Sequence, residues 1–244
     1  MEENVVKNAF AVGRVNFKGK NGRGQSLPPA IHREQLLRER IEPPVIEGHA
    51  AQGSQPGYPH LHSGTVLVCG FAATLWDDLA AVESVKPGLP IIAVNEAAVH
   101  LPAFAIYSFH TEAEKLGRWT KEQRENFGDG FTVHGSGSRD FYEHNIRNYP
   151  HVQYWWAASA SRGSSGWCAR ILAGMMGFDE VVLCGIPLDH RRYADKKPAW
   201  YWQSGRTNAV TVFQKAVKAD TVHHEGCYSV SGWTRELLGA PPWL

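Results

Sequence analysis

The chain has 244 residues, of which 43% are hydrophobic and 20% are charged, as in a globular protein with one sizeable domain. This composition excludes a disordered or fibrous chain. Lys plus Arg (25) nearly equal Asp plus Glu (24), so the net charge of +1 gives no whole-chain argument for a polyanionic partner. No apolar run reaches the roughly 18 residues of a membrane span, and the N-terminus has no apolar signal segment. We therefore expect a cytoplasmic protein.

Residues 1–62 differ in composition from the rest of the chain. Their first part alternates basic residues with glycines, and two Pro-Pro pairs bracket a candidate helix over residues 31–41. A stretch rich in Gly, Pro, His and Gln follows over residues 47–63. Such a segment buries little apolar surface, so we predict a flexible basic extension with a linker, followed by one domain over residues 63–244. The basic arm is a candidate contact for nucleic acid.

Strands and helices alternate from Thr65 onwards. The apolar run 66–69 predicts a buried strand, and Leu75, Leu79 and Val82 then fall on one face of a helix. A second apolar run follows at 91–94. This strand-helix-strand unit implies a parallel sheet with a right-handed crossover.

The alternation continues to the end of the chain. Further strand candidates lie at 103–108, 131–134, 152–156, 181–184 and 228–230, and helix candidates at 111–126, 165–176, 207–219 and 234–238. Gly135–Ser138 has the composition of a turn. We predict a doubly wound α/β domain whose mostly parallel sheet carries helices on both faces. The four dispersed cysteines, without a CxxC pair, predict buried free thiols.

Ligands of open parallel sheets bind beyond the carboxyl ends of the strands, so polar residues at those ends are the site candidates. After the first strand, Gly70 opens a turn of small residues, and Thr74 with Asp77 has the spacing of a capping box. The helix start that follows can hold an anion, although an ordinary tight turn explains the same residues. After the second strand, Asn95 could hold a base or a ribose, or cap a helix.

Two later junctions offer more polar chemistry. Ser164, Ser165 and Gly166 open an amphipathic helix, which suits phosphate or carboxylate binding but also a plain N-cap. The strand that ends at Cys184 leads into the candidates for proton transfer and for binding a charged leaving group, which are Asp189, His190, Arg192 and Tyr193. Tyr201 lies in an aromatic stretch that could stack on a sugar or a base. No metal cage is evident from the spacing of these residues.

Three of these junctions, in this order, resemble the bacterial sialyltransferase-like glycosyltransferases. The motifs are Gly70-Phe-Ala-Ala-Thr74-Leu75, Asn95 after the next strand, and Ser164-Ser165-Gly166 followed by Gly185-Ile-Pro-Leu-Asp189. The same pattern is similar to the Rossmann-like domain of motility-associated factors and of archaeal pterin pyrophosphokinases. The resemblance covers about residues 64–195 and implies a Rossmann-like fold.

The resemblance also implies roles for single residues. Gly70 and Thr74 match family positions that contact the nucleotide phosphate, whereas Phe71 stands where the family has a polar Asn. Asn95 matches a nucleotide-contacting Asn, and Ser165 with Gly166 matches a donor-sugar or nucleotide site. Asp189 matches the strand-end acid of the family, displaced by two residues. His190, Tyr193 and Tyr201 are candidates for the catalytic histidine and tyrosines on chemistry alone.

We therefore expect an enzyme that transfers a sugar from a nucleotide-activated donor to a hydroxyl acceptor by direct displacement, without a metal or another cofactor. Two alternatives stay open. One is ATP-dependent pyrophosphoryl transfer, with Mg²⁺ held by carboxylates such as Asp189. The other is a non-catalytic nucleotide-binding module, which Phe71 favours because it removes a polar contact. The sequence leaves the donor, the acceptor and a homo-oligomeric state open.

A variant that starts at Ser63 tests the domain boundary. We expect it to unfold cooperatively at nearly the temperature of the full chain, because the extension offers little apolar surface to bury. Thermal unfolding followed by circular dichroism measures this. Loss of the cooperative transition would show that the extension is part of the folded domain.

Overall fold

The computed structural model describes residues 31–32, 62–109, 113–137, 151–157, 164–189, 193–195 and 209–244. Its strands are β1 (Ile31–His32), β2 (Thr65–Cys69), β3 (Ile91–Val94), β4 (Ala105–Phe109), β5 (Thr132–Gly137), β6 (Tyr154–Ala157), β7 (Glu180–Cys184) and β8 (Cys227–Ser229). Its helices are α1 (Leu75–Val85), α2 (Ala113–Phe127), α3 (Ser165–Met175), α4 (Ala209–Ala219) and α5 (Gly232–Leu238), with short 3-10 helices at Asn95–Val99 and Thr221–His223. In these ranges no helix combines the length and the apolar composition needed to cross a membrane.

The strands form one sheet in the order β1-β6-β5-β4-β3-β2-β7-β8. Every described pair of neighbours is parallel except β1 with β6, which is antiparallel. The chain leaves β2 towards one edge through β3 to β6 and returns to the other side of β2 with β7. The predicted doubly wound, Rossmann-like α/β fold with a mostly parallel sheet is confirmed.

Helices cover both faces of this sheet. Successive strand residues point to opposite faces, so Val66 and Val68 of β2 join the core under α3, while Leu67 and Cys69 join the core under α1 and α2. Helix α3 packs across β2, β3, β4 and β7 and is buried along most of its length. All four cysteines are buried free thiols, as predicted.

Two local predictions were wrong, both where strand pairing outweighed local composition. Gly135–Gly137 lie within β5 rather than in a turn, because β4 and β6 flank this strand and satisfy its backbone. The helix expected over residues 31–41 does not begin as predicted, since Ile31–His32 form β1 against the outer edge of β6. The predicted boundary at Ser63 thus leaves out one short strand of this sheet.

The loops that follow β2 and β7 cross in close contact. Gly70 N–H donates to Cys184 O at 2.9 Å, and Ala72 N–H donates to Gly185 O at 3.1 Å. Gly185 has a left-handed φ of 62°, and a Cβ there would lie 2.3 Å from Gly70 O. A Cβ on Gly70 would in turn lie 2.7 Å from Gly185 O. Only glycine permits this approach of two backbones.

Replacement of Gly185 by Ala tests the crossing. We expect Gly185→Ala to lower the free energy of unfolding by about 3 kcal/mol or more, because left-handed strain and a backbone clash add together. Gly88→Ala is a matched control, since Gly88 has a φ of 74° but nothing within 4 Å of the place that a Cβ would take. The control should lose only about 1–2 kcal/mol. Equal losses in urea unfolding would show that the crossing is not tightly packed.

Candidate functional site

The carboxyl ends of β2 and β7 form the topological switch point of the sheet. Strand order reverses there, because the chain leaves β2 on one side and returns with β7 on the other. Open α/β sheets bind ligands at such a switch point. Gly70 and Gly185, which cross there, are the first residues after the two strands. The predicted position of Gly70 at the ligand-binding edge therefore coincides with the switch point.

Asp78 of α1 joins three elements at this edge. Its Oδ2 accepts hydrogen bonds from Gly185 N–H at 2.8 Å, from Ser231 Oγ at 2.8 Å and from Thr74 Oγ1 at 3.1 Å. Asp78 is 3% exposed, and Thr74 is buried as well. The capping box predicted for Thr74 with Asp77 was wrong, since the side chain of Thr74 makes no cap hydrogen bond. Its hydroxyl faces Asp78 inside the protein instead.

Asn95 follows β3 with a left-handed backbone. Its φ of 55° lies in a region that asparagine adopts more readily than most other non-glycine residues, and that is frequent at functional sites. Its side-chain Oδ1 is buried and has no hydrogen-bond partner in the described part of the chain. A buried polar atom without a partner costs about 1–3 kcal/mol. Asn95 is therefore a strong candidate ligand contact at this edge.

The two serines at the start of α3 have different roles. Ser164 is the N-cap, and its Oγ accepts from Trp167 N–H at 3.3 Å. Ser165 begins the helix half-buried, and its hydroxyl makes no hydrogen bond to residues that the structure describes. Gly166 lets the helix start approach the loop after β7, because a Cβ there would lie 2.7 Å from Cδ1 of Ile186. The helix start thus lies against the switch point.

The loop after β7 is held by the C-terminal helices. Thr234 of α5 donates from Oγ1 to Ile186 O at 2.8 Å and from its N–H to Pro187 O at 3.3 Å. Gln214 of α4 donates to Leu188 O at 2.8 Å. Asp189 ends this anchored stretch, with its carboxylate 2.9 Å from the position that a Cβ on Gly232 would take. The predicted acid therefore lies on a fixed loop at the carboxyl edge.

The chain then returns to the first junction. Tyr193 pairs with Ala72 in an antiparallel bridge, and Ala194 N–H donates to Phe71 O at 3.1 Å. Tyr193 is thus brought to the same edge as Gly70 and Asp189. The predicted residues His190, Arg192 and Tyr201 lie outside the described residues.

Sequence reasoning missed an aromatic cluster beside this edge, which we call the ring cluster and which comprises Phe71, Trp76, His100 and Tyr193. Phe71 stacks on His100 with ring centroids 4.5 Å apart and planes 2° apart. Tyr193 lies 6.5 Å from Phe71, and Trp76 meets His100 edge-on at 6.4 Å and 87°. Phe71, unusual at its position, was the one sequence feature that pointed to this cluster, but its ring partners are distant in sequence.

Metal ligation finds no support in the described ranges, where no group of three or more His, Cys, Asp or Glu side chains could hold an ion. The polar groups at this edge are amide, hydroxyl and backbone N–H groups, with the carboxyl groups of Asp78 and Asp189. Such a set suits a neutral or anionic organic ligand.

Comparison with known proteins gives a match in structure only. No family model matches the chain, and no curated protein matches it. The chain is similar to the sialyltransferase CstII from Campylobacter jejuni in complex with a trisaccharide acceptor and CMP, with a TM-score of 0.50, 13% identity and coverage of 73% of this chain and 86% of that chain. The protein therefore shares its fold with this structure. The resemblance predicted from the motifs is confirmed at the level of the fold.

Two further structures match the chain with lower scores. CstII in complex with CMP-3FNeuAc has a TM-score of 0.49 and 14% identity, covering 73% of this chain and 86% of that chain. The MAf glycosyltransferase from Magnetospirillum magneticum AMB-1 has a TM-score of 0.38 and 16% identity, covering 70% of this chain and 26% of that chain.

The buried carboxyl of Asp78 makes the stability of this edge depend on pH. Burial raises the pKa of Asp78 above its usual 3.8, and the hydrogen bonds from Gly185, Ser231 and Thr74 oppose this only in part. The folded protein therefore holds this proton to a higher pH than the unfolded chain does. Stability from this group is fully present below the unfolded pKa and is lost as the pH rises through the folded pKa.

We therefore expect the wild type to lose stability relative to Asp78→Asn as the pH rises from about 4, by about 1.4 kcal/mol per pH unit until the folded pKa is passed. Urea unfolding of both proteins between pH 4 and pH 8 measures the difference. Asp77→Asn, which removes the exposed neighbouring charge, should keep most of the wild-type slope. A pH-independent difference between wild type and Asp78→Asn would contradict the raised pKa.

Proposed function

We propose that the protein is a nucleotide-binding glycosyltransferase, which transfers a sugar from a nucleotide-activated donor to a hydroxyl acceptor. The fold supports this proposal, because a sialyltransferase of the same fold binds CMP and a trisaccharide acceptor. The chemistry of the switch-point edge supports it as well. Amide, hydroxyl and helix N-terminal groups suit the ribose and phosphate of a nucleotide.

Asn95 is the observation that carries the proposal. Its backbone is left-handed, and its buried side-chain Oδ1 has no hydrogen-bond partner among the described residues. A ligand hydroxyl or amino group that donates to Oδ1 would recover the cost of the buried oxygen. The end of the second strand of a βαβ unit is where dinucleotide-binding folds hold the ribose. We assign Asn95 to the nucleoside part of the donor.

Ser165 supports a second contact with the donor. The capping role belongs to Ser164, so the Ser165 hydroxyl remains for a ligand at the helix start. Gly166 keeps this start close to the loop after β7. Backbone N–H groups of a helix N-terminus favour phosphate or carboxylate groups. The donor would therefore extend from Asn95 across the switch point towards α3.

The proposed reaction is a direct displacement. His190 accepts the proton of the acceptor hydroxyl, and the oxygen attacks the anomeric carbon as its bond to the phosphate oxygen breaks. Asp189 orients this base, and the hydroxyls of Tyr193 and Tyr201 with the guanidinium of Arg192 stabilise the departing phosphate. The anchored loop that ends at Asp189 supports a fixed position for the acid. This mechanism requires no metal.

Thermal shift with CMP, UDP, GDP and ATP, each with and without Mg²⁺, tests the proposal. We expect at least one of CMP, UDP and GDP to stabilise the protein without Mg²⁺, by about 2.7 kcal/mol at a hundredfold excess over Kd. Stabilisation by ATP with Mg²⁺ alone would favour pyrophosphoryl transfer. Nucleotide binding without turnover of any sugar nucleotide would favour the binding module. A chain that binds no nucleotide would contradict all three functions.

Asn95→Gly separates the ligand role from folding. The variant relieves the left-handed strain and removes the unpartnered oxygen, so we expect unchanged or slightly higher stability. Loss of one buried hydrogen bond should nevertheless weaken nucleotide binding by about 5- to 100-fold. Calorimetric titration and urea unfolding measure the two effects. Wild-type affinity in Asn95→Gly would show that the nucleotide binds elsewhere.

A further inference from the structure

The ring cluster has one side packed into the protein and one side open. Phe71 and Tyr193 are half-buried, whereas His100 and Trp76 are exposed, Trp76 to 47%. Phe71 covers one face of the His100 imidazole with nearly parallel planes. The only other described ring near His100 is Trp76, which stands perpendicular to it. The outer face of His100, opposite Phe71, is therefore an exposed aromatic surface, and the ring of Trp76 stands beside it.

This surface lies at a fixed place relative to Asn95. The 3-10 helix Asn95–Val99 joins them, and His100 is the next residue. A 3-10 helix rises about 2 Å per residue, so the backbones of Asn95 and His100 are about 10 Å apart. A nucleotide whose ribose contacts Asn95 can therefore bring its base over His100, since side chains and ligand span such a distance together.

We propose that the outer face of His100, supported by Phe71 and flanked by Trp76, is the stacking platform for the base of the bound nucleotide. The inference rests on the proposed function and adds the subsite that holds the base. A flat base continues the parallel stack that Phe71 and His100 begin, while the perpendicular Trp76 contacts its edge. Stacking on an aromatic side chain contributes about 1–3 kcal/mol per base and tolerates every base.

The platform also explains how this chain uses Phe71 at the first junction. Phe71 presents its backbone to Ala194 and its ring to His100, so the position fixes the platform rather than offering a polar contact to the phosphate. The binding energy of the nucleotide would then come more from its base than from its phosphate at this junction. Removing the base from the ligand should consequently weaken binding as much as removing the platform does.

Calorimetric titration of two variants with two ligands tests this. His100→Leu keeps apolar bulk over Phe71 but removes the aromatic face, and His100→Phe restores that face. The ligands are the nucleoside monophosphate that binds the wild type best among CMP, UMP, GMP and AMP, and ribose 5-phosphate, which lacks a base. We expect His100→Leu to weaken nucleotide binding about 5- to 150-fold and to leave ribose 5-phosphate binding unchanged.

His100→Phe should restore nucleotide affinity to near the wild-type value. Phe127→Ala removes another exposed aromatic side chain, at the end of α2, and should change neither affinity. Equal nucleotide affinity in wild type and His100→Leu would overturn the platform, and so would equal weakening of both ligands, which indicates a distorted site. A wild type that binds none of the four nucleotides would overturn the proposed function itself, and the platform with it.

Discussion

The crossing of the loops after β2 and β7 is the contact on which the rest of the edge depends. Two glycine backbones approach so closely that a Cβ on either residue would meet a carbonyl oxygen. Backbone hydrogen bonds from Gly70 and Ala72 then join the two loops. Because these loops lead into α1 and towards Asp189, their contact sets where the helix start and the strand-end acid lie relative to each other.

Buried polar groups stabilise this crossing, although their burial costs desolvation free energy. Asp78 receives three hydrogen bonds, but burial still raises its pKa, so the charged form is disfavoured in the folded protein. Thr234 and Gln214 take up the carbonyls of the loop after β7. Strain remains at Asn95 and Leu188, the two described non-glycine residues with positive φ. Both flank the switch point, where a ligand can repay such costs.

The ring cluster gives this edge a character different from that expected of a polar nucleotide site. Where the resembling family has an Asn, Phe71 stacks on His100 and its backbone pairs with the returning chain near Tyr193. The polar groups of this edge then lie at Asn95 and at the start of α3, whereas flat aromatic surface lies beside α1. A ligand with both a polar and an aromatic part matches this division better than a simple sugar does.

The sequence alone determined the elements whose signals are local. Apolar runs and helical periodicity predicted β2, β3, α1 and α3 to within a residue or two, and strand-end polar residues marked the edge that carries Asn95 and Asp189. Tertiary structure decided what depends on distant partners. Residues Gly135–Gly137 form a strand because β4 and β6 flank them. The Thr74 hydroxyl donates to Asp78, where Ser231 and Gly185 also donate. Phe71 stacks on His100, which is distant in sequence. The physical reason is that these contacts join residues up to 157 positions apart, which no local pattern encodes.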